Sequence, residues 1–188
     1  MTARPSEHPG LLMRLETARL RLLSLTADAI DALLEGDAAR LGSLTDARFP
    51  QPLRPPPLTE DVLPLVRDRL RADPSQDGWW TWLVVRKDTK QAVGSAGFGG
   101  GPDAEGAVMI GYATYPDVER HGFATEAAGA LVDWALSQPG VARVCASLPP
   151  DNRPAIRVAE KLGMKLLGTV WEEDLDEVLL YGIERRER

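Results

Sequence analysis

The residues able to do covalent or metal chemistry are few here, and their spacing excludes the commonest arrangements. The only histidines are His8 and His121, and the only cysteine is Cys145. A zinc site built on His and Cys therefore lacks ligands. Gly94-Ser95-Ala96-Gly97 misses the spacing of a G-x-S-x-G nucleophile elbow. Neither the Walker-type phosphate loop nor the G-x-G-x-x-G dinucleotide fingerprint occurs. Covalent serine hydrolysis and metal hydrolysis are disfavoured. The informative stretch is IGYATYPDVERHGFATEAAGALVDWA, residues 110–135. A Tyr- and Ile-containing strand runs into Pro116, then a short polar loop, then Gly122, Ala124 and a helical pattern. Small residues at a helix mouth leave its backbone amides unobstructed, and with the positive end of the helix dipole they form an anion site. The same pattern also suits an ordinary strand-to-helix turn.

A second junction lies at NRPAIRVAEKLGM, residues 152–164. Asn152 opens a helix directly after the next strand. Two such junctions on one sheet edge define a crevice, the usual ligand position in open α/β sheets. Asn152 also has the residue type of a plain N-cap.

The elements that position these junctions follow from periodicity. LRLLSL (20–25) reads as a strand. Thr26 or Asp28 caps a short helix to about Glu35, and TEDVLPLVRDRL (59–70) reads as a second helix with Pro64 near its first turn. Between them FPQPLRPPPL (49–58) carries five prolines in ten residues. Proline lacks a backbone donor and fixes φ, so this is an exposed, stiff connection, either a plain loop or a substrate-site loop. Trp79–Arg86, Val93–Phe98 and Ala107–Tyr115 form an antiparallel meander. Gly122–Gln138 is helical, Val141–Leu148 a strand, Asn152–Leu162 a helix, and Met164–Trp171 and Val178–Ile183 two final strands. The expected fold is a single mixed α/β domain over 11–188, with a central, mostly antiparallel sheet flanked by helices, after a loose tail at 1–10.

Composition agrees with one globular domain: 188 residues, 44% hydrophobic and 27% charged. The net charge of −6, from 22 basic and 28 acidic residues, argues against direct nucleic-acid binding. One cysteine fits a reducing compartment. No apolar run approaches a membrane span, and MTARPSEHPG has no signal-peptide core. A cytoplasmic protein without membrane association is expected.

Tyr112–Ala127 followed by Asn152–Met164 resembles the acyl-CoA-binding core of the GNAT superfamily of N-acetyltransferases, most of all the branch that acetylates ribosomal-protein N-termini. Gly122 and Ala124 match that pattern's small residues, ATEA (124–127) its helix start, and Asn152, Arg157, Val158 and Glu160-Lys161-Leu162-Gly163 its second motif. ETARLRL (16–22) resembles its opening strand. The resemblance extends from about Leu15 to Ile183.

The resemblance implies acetyl-CoA as cosubstrate and no metal. It implies backbone groups of Tyr112, Ala113 and Thr114 along the pantetheine, amides from Arg120, His121, Gly122, Phe123, Ala124 and Thr125 at the pyrophosphate, and Asn152 on the pantetheine arm. The acceptor is an amine, on a peptide or a small molecule, that attacks the thioester directly, so something must accept its proton. Asp174 and Glu173, in WEEDLDE (171–177), match the position of a carboxylate base in that branch, and also read as an acidic turn. Trp79, Trp80 and Trp82 either wall the acceptor cleft or pack in the core. Some positions depart from the pattern. Glu119 brings a carboxylate near the phosphates, Arg120 stands where glycine is common, and Ala155 and Ala159 replace the usual Ser and Tyr acids. A noncatalytic acyl-CoA-binding or regulatory module is the alternative reading, and a protein-interaction domain a third. A homodimer is compatible with the sequence and not required by it.

Overall fold

The computed structural model describes residues 12–172 and 176–185. Eight strands form one sheet in the order β1-β2-β3-β4-β5-β6-β8-β7. They are β1 (Arg14–Glu16), β2 (Leu20–Ser24), β3 (Thr81–Arg86), β4 (Ala92–Phe98), β5 (Ala107–Thr114), β6 (Arg143–Leu148), β7 (Lys165–Glu172) and β8 (Asp176–Glu184). Every neighbouring pair is antiparallel except β5 and β6, which are parallel. The expected meander is β3-β4-β5. Helices α1 (Ala27–Leu34), α2 (Ala38–Thr45) and α3 (Leu63–Ala72) precede it, α4 (Phe123–Ser137) joins β5 to β6, and α5 (Arg153–Lys161) follows β6.

Both faces of the sheet are covered. Trp82, Val84, Phe98, Leu131, Val132 and Ile156 lie in the core under α4 and α5. Leu23, Ile30, Leu41, Leu63, Val66 and Leu83 fill the core under α1–α3. That double burial explains why LRLLS and TWLVVR are nearly continuous apolar runs and not alternating ones. Trp79, Trp82, Phe98 and Trp134 pack ring against ring, with Trp79–Trp134 centroids 4.8 Å apart. Trp79 and Trp82 are therefore core residues, whereas Trp80 belongs to the opposite face.

Three expectations need correction. The opening strand is a hairpin of β1 and β2, turned at Thr17, whose N–H bonds the Leu20 carbonyl at 2.9 Å. Three helices, not two, precede β3: α2 is capped by Asp37, which accepts from the Arg40 N–H. Its Gly42 and Ser43 weaken helix propensity and only Leu41 and Thr45 are buried, so its sequence carries little helical period. The helix read from Thr59 begins at Leu63 instead, because the Thr59 hydroxyl turns back to the Pro56 carbonyl at 2.6 Å. The tail at 1–10 lies outside the described residues.

β4 and β5 approach unusually closely at Gly94, where an added Cβ would lie 2.2 Å from the Ala113 carbonyl oxygen. Gly94 pairs with Thr114, so this contact sets the path of the end of β5. Gly94→Ala is expected to force the strands apart and cost about 1–3 kcal/mol. Urea unfolding would show a lower midpoint at unchanged slope; an unaltered midpoint would refute the close-approach account.

Candidate active site

The site begins where the sheet parts. The β5–β6 ladder runs only from Ala107↔Arg143 to Met109↔Cys145. Beyond it β5 stays paired with β4 as far as Thr114, and β6 stays paired with β8 as far as Leu148. The Gly99 N–H bonds the Met109 carbonyl, and the Tyr115 N–H bonds the Val93 carbonyl. Backbone groups alternate in direction along a strand, so odd-numbered residues of β5 face β4. The N–H and C=O groups of Tyr112 and Thr114 therefore face the gap.

Helix α5 borders the gap. Asn152 caps it, its side-chain oxygen accepting from the Ala155 N–H at 3.2 Å. The Tyr112 hydroxyl donates across the opening to the Ala155 carbonyl at 2.9 Å. Burial pushes the Tyr112 phenol up to about 12, partly offset by a backbone hydrogen bond from Ala159, so it stays protonated and donates. A side-chain hydroxyl thus reaches the helix turn where Ala155 and Ala159 carry none.

The loop from β5 to α4 closes the cleft. A short 3-10 turn at Pro116–Val118 leads to Arg120 (φ 65°) and Gly122 (φ 79°), both left-handed. Such alternation turns successive amides inward as an anion-binding concavity. The conformation costs a non-glycine residue about 1 kcal/mol, which Arg120 bears and Gly122 avoids. Gly122 is the N-cap of α4 and offers no side-chain cap, so the first-turn amides are left for another partner. His121 clasps the loop: its Nδ1 lies 2.8 Å from the Glu119 carbonyl and its ring stacks on Phe123.

The cleft measures about 690 Å³. Of the sequence-predicted residues, Tyr112, Ala113, Thr114, Arg120, Gly122, Phe123, Ala124, Thr125 and Asn152 all line it. His121 does not, being turned onto its own loop. Glu173 and Asp174 lie outside the described residues. Arg157 and Lys161, one turn apart on α5, also line the cleft, so with Arg120 three cations face the single carboxylate of Glu119. The repulsion expected from Glu119 is thereby outweighed. Arg157 and Lys161 were visible only as motif letters; their i, i+4 spacing on the exposed face of α5 was the usable signal.

Sequence reasoning missed the clamp behind the loop. Glu126, in the first turn of α4, accepts from the Thr17 hydroxyl at 2.6 Å, from the Arg19 N–H at 2.8 Å and from Arg19 Nε at 2.7 Å. Arg19 also donates to the His121 carbonyl at 3.0 Å and lies over the Phe123 ring. The β1–β2 turn thus holds the mouth of α4 in place. Among the described residues no group of three or more His, Cys, Asp and Glu could hold a metal ion, and no helix is long and apolar enough to cross a membrane.

A family model described as an acetyltransferase (GNAT) domain matches residues 19–165. The chain is 34% identical over 158 residues to YjdG, an uncharacterized N-acetyltransferase of Bacillus subtilis (strain 168), covering 82% of this chain and 91% of that one. Its fold matches RimJ of Mycobacterium smegmatis, solved in complex with CoA-disulfide, with a TM-score of 0.64 at 20% identity over 96% of this chain and 91% of that one. It also matches a GNAT-family acetyltransferase of Bacillus anthracis, with a TM-score of 0.63 at 21% identity over 93% and 100% of the two chains. The chain belongs to the GNAT family of acetyltransferases.

Partial burial disfavours the charged form of Glu126, but the Thr17 hydroxyl and the Arg19 N–H and guanidinium outweigh it and hold the carboxyl below its ordinary 4.5. A carboxyl depressed on folding contributes stability above its unfolded value and loses it as pH falls through the folded one. Glu126→Gln is expected to cost about 1–2 kcal/mol at neutral pH. The deficit should shrink on acidification below 4.5. Thermal melts of both proteins across that range check this; a pH-independent gap would overturn it.

Proposed function

We propose that this protein transfers an acetyl group from acetyl-CoA to a primary amine by direct attack of the amine on the thioester. The observation that carries the reading is the parted β5–β6 ladder, with unpartnered strand groups at Tyr112 and Thr114 beside the uncapped mouth of α4. An extended amide-bearing arm completes the β5 edge by adding hydrogen bonds of the kind a neighbouring strand would make. The amides of Arg120–Thr125, with Arg120, Arg157 and Lys161 nearby, suit a pyrophosphate. Asn152 spends its oxygen on the cap and keeps its NH₂ for a carbonyl of the arm.

The thioester supplies an activated acyl carbon. The N–C bond forms there as the C–S bond breaks; the sulfur keeps the bonding electron pair, and the amine nitrogen gives up a proton. Asp174 is assigned as the acceptor of that proton, with Glu173 beside it in sequence. His121 is not assigned as the base, because it is turned onto its own loop and does not line the cleft. The family resemblance favours a peptide amine of the ribosomal-protein type over other acceptors. A cytoplasmic setting fits the same reading.

Gly122→Val is expected to abolish measurable acetyl-CoA binding by calorimetry. Its φ of 79° strains any L side chain, and a Cβ there already meets Arg19 Nη2 at 3.4 Å. The fold should survive by circular dichroism, since Gly122 is exposed at a helix start. Wild-type affinity in a folded variant would remove the anion-loop assignment. Asp174→Asn is expected to lower kcat by about 10²-fold or more and flatten the pH–rate profile, whereas His121→Ala changes kcat little. An inactive His121 variant with an active Asp174 variant would reverse the base assignment.

A further inference from the structure

On the sheet face opposite α4 and α5 lies a second groove of about 540 Å³, between α3, the β4–β5 strands and β6. It meets the first cleft on β5: Ile110 and Gly111 border the groove, Tyr112–Thr114 the cleft. Ser147 of β6 lines it too, so the groove crosses the parting of the strands. Among the described residues, none that lines it is charged. Its walls are Leu58, Val62, Leu65, Trp80 and Met109, and Leu58 and Leu65 are 65% and 52% exposed.

The proline-rich segment delivers Leu58 to one wall. Proline keeps its carbonyl acceptor but brings no donor, and three hydroxyls supply the missing anchors. Tyr115 donates to the Arg54 carbonyl at 3.0 Å, Thr59 to that of Pro56 at 2.6 Å, and Ser95 to that of Pro57. These bonds fix Leu58 in the left-handed region at φ 65°, with its Cδ1 over Gly111. A leucine is strained there, and so exposed a side chain recovers little by packing. Gly111, lacking a side chain, keeps the floor open beneath it.

We propose that this groove holds the acceptor, and that the acceptor is a primary amine with an apolar body, branched aliphatic or aromatic, and no second positive charge. The inference rests on the acetyl-transfer reading above. A groove on the far side of the same parting gives an amine access to an acyl carbon held in the cleft. Among the described residues its lining offers no carboxylate to a second ammonium group, and the one carboxylate assigned to the amine, Asp174, is the acceptor of the reacting nitrogen's proton. Its apolar walls disfavour the ammonium form and so favour the neutral nucleophile. The acidity of the chain as a whole, which suits cationic acceptors, is not expressed at this surface.

Thiol release at saturating acetyl-CoA is measured with L-leucinamide, 2-phenylethylamine and spermidine, beside calorimetric binding of acetyl-CoA. L-leucinamide and 2-phenylethylamine are expected to exceed spermidine in kcat/KM by roughly tenfold or more. Leu58→Asn, which tolerates the left-handed conformation, should raise KM for both roughly tenfold while melting temperature and acetyl-CoA affinity stay unchanged. Spermidine acetylated as well as the apolar amines, none of the three acetylated by protein that binds acetyl-CoA, or an unchanged KM in Leu58→Asn would each overturn the groove assignment alone. Absence of acetyl-CoA binding would overturn the transfer reading and this proposal with it.

Discussion

The parting of β5 from β6 after Met109↔Cys145 is the constraint on which the rest of the molecule depends. Each strand remains fully paired on its other side, so neither can swing across to close the gap without breaking a ladder. The backbone groups left at Tyr112 and Thr114 must be satisfied by water or a ligand, since an unpaired buried peptide group costs as much as a lost hydrogen bond. Tyr112 spans the opening to the first turn of α5 and so fixes its width at the length of one tyrosine. An open strand edge is thus produced by withholding a strand, and the fold's remaining pairings keep it withheld.

The same parting divides the chemistry of the two faces. On the α4–α5 side, open amides and the cations Arg120, Arg157 and Lys161 surround the cleft. On the α3 side the lining is apolar with a few hydroxyls. A net charge of −6 describes neither surface. Whole-chain charge governs solubility and long-range steering, whereas recognition depends on the few groups within a Debye length of the ligand. The sheet is therefore a partition between a cation-lined cleft and a groove whose described lining is uncharged.

What could be read from the sequence was local. Gly122 and Asn152 declare themselves because a helix start is specified within a few residues, and the β3-β4-β5 meander because its turns are short. The clamp from Glu126 to Arg19 could not be read, because its partners stand 107 positions apart and each looks like an ordinary surface charge. The parted ladder could not be read either: strand register leaves no periodic trace beyond residue 109, where β5 continues with the same composition. Helix α2 went unread because two buried side chains in eight residues make no pattern. The carboxylates of WEEDLDE, proposed as proton acceptors on their spacing from Ala155, are the residues that local chemistry constrains least.

The proline-rich connection shows how a segment without regular structure can still be part of a precise site. Each proline removes a donor that would have to be satisfied and fixes a torsion that would have to be ordered. Only the acceptors remain, and hydroxyls from the sheet and its flanks meet those of Arg54, Pro56 and Pro57. Orientation of two reactants is worth most when the surface that imposes it loses little freedom on binding. A wall residue such as Leu58, held at the end of a proline-stiffened segment that Ser95 of β4 and Tyr115 beyond β5 pin in place, meets that condition without a lid. The strain at Leu58 then has a physical source: the pins on either side dictate its backbone, and the side chain goes where the groove, not its own conformational preference, places it.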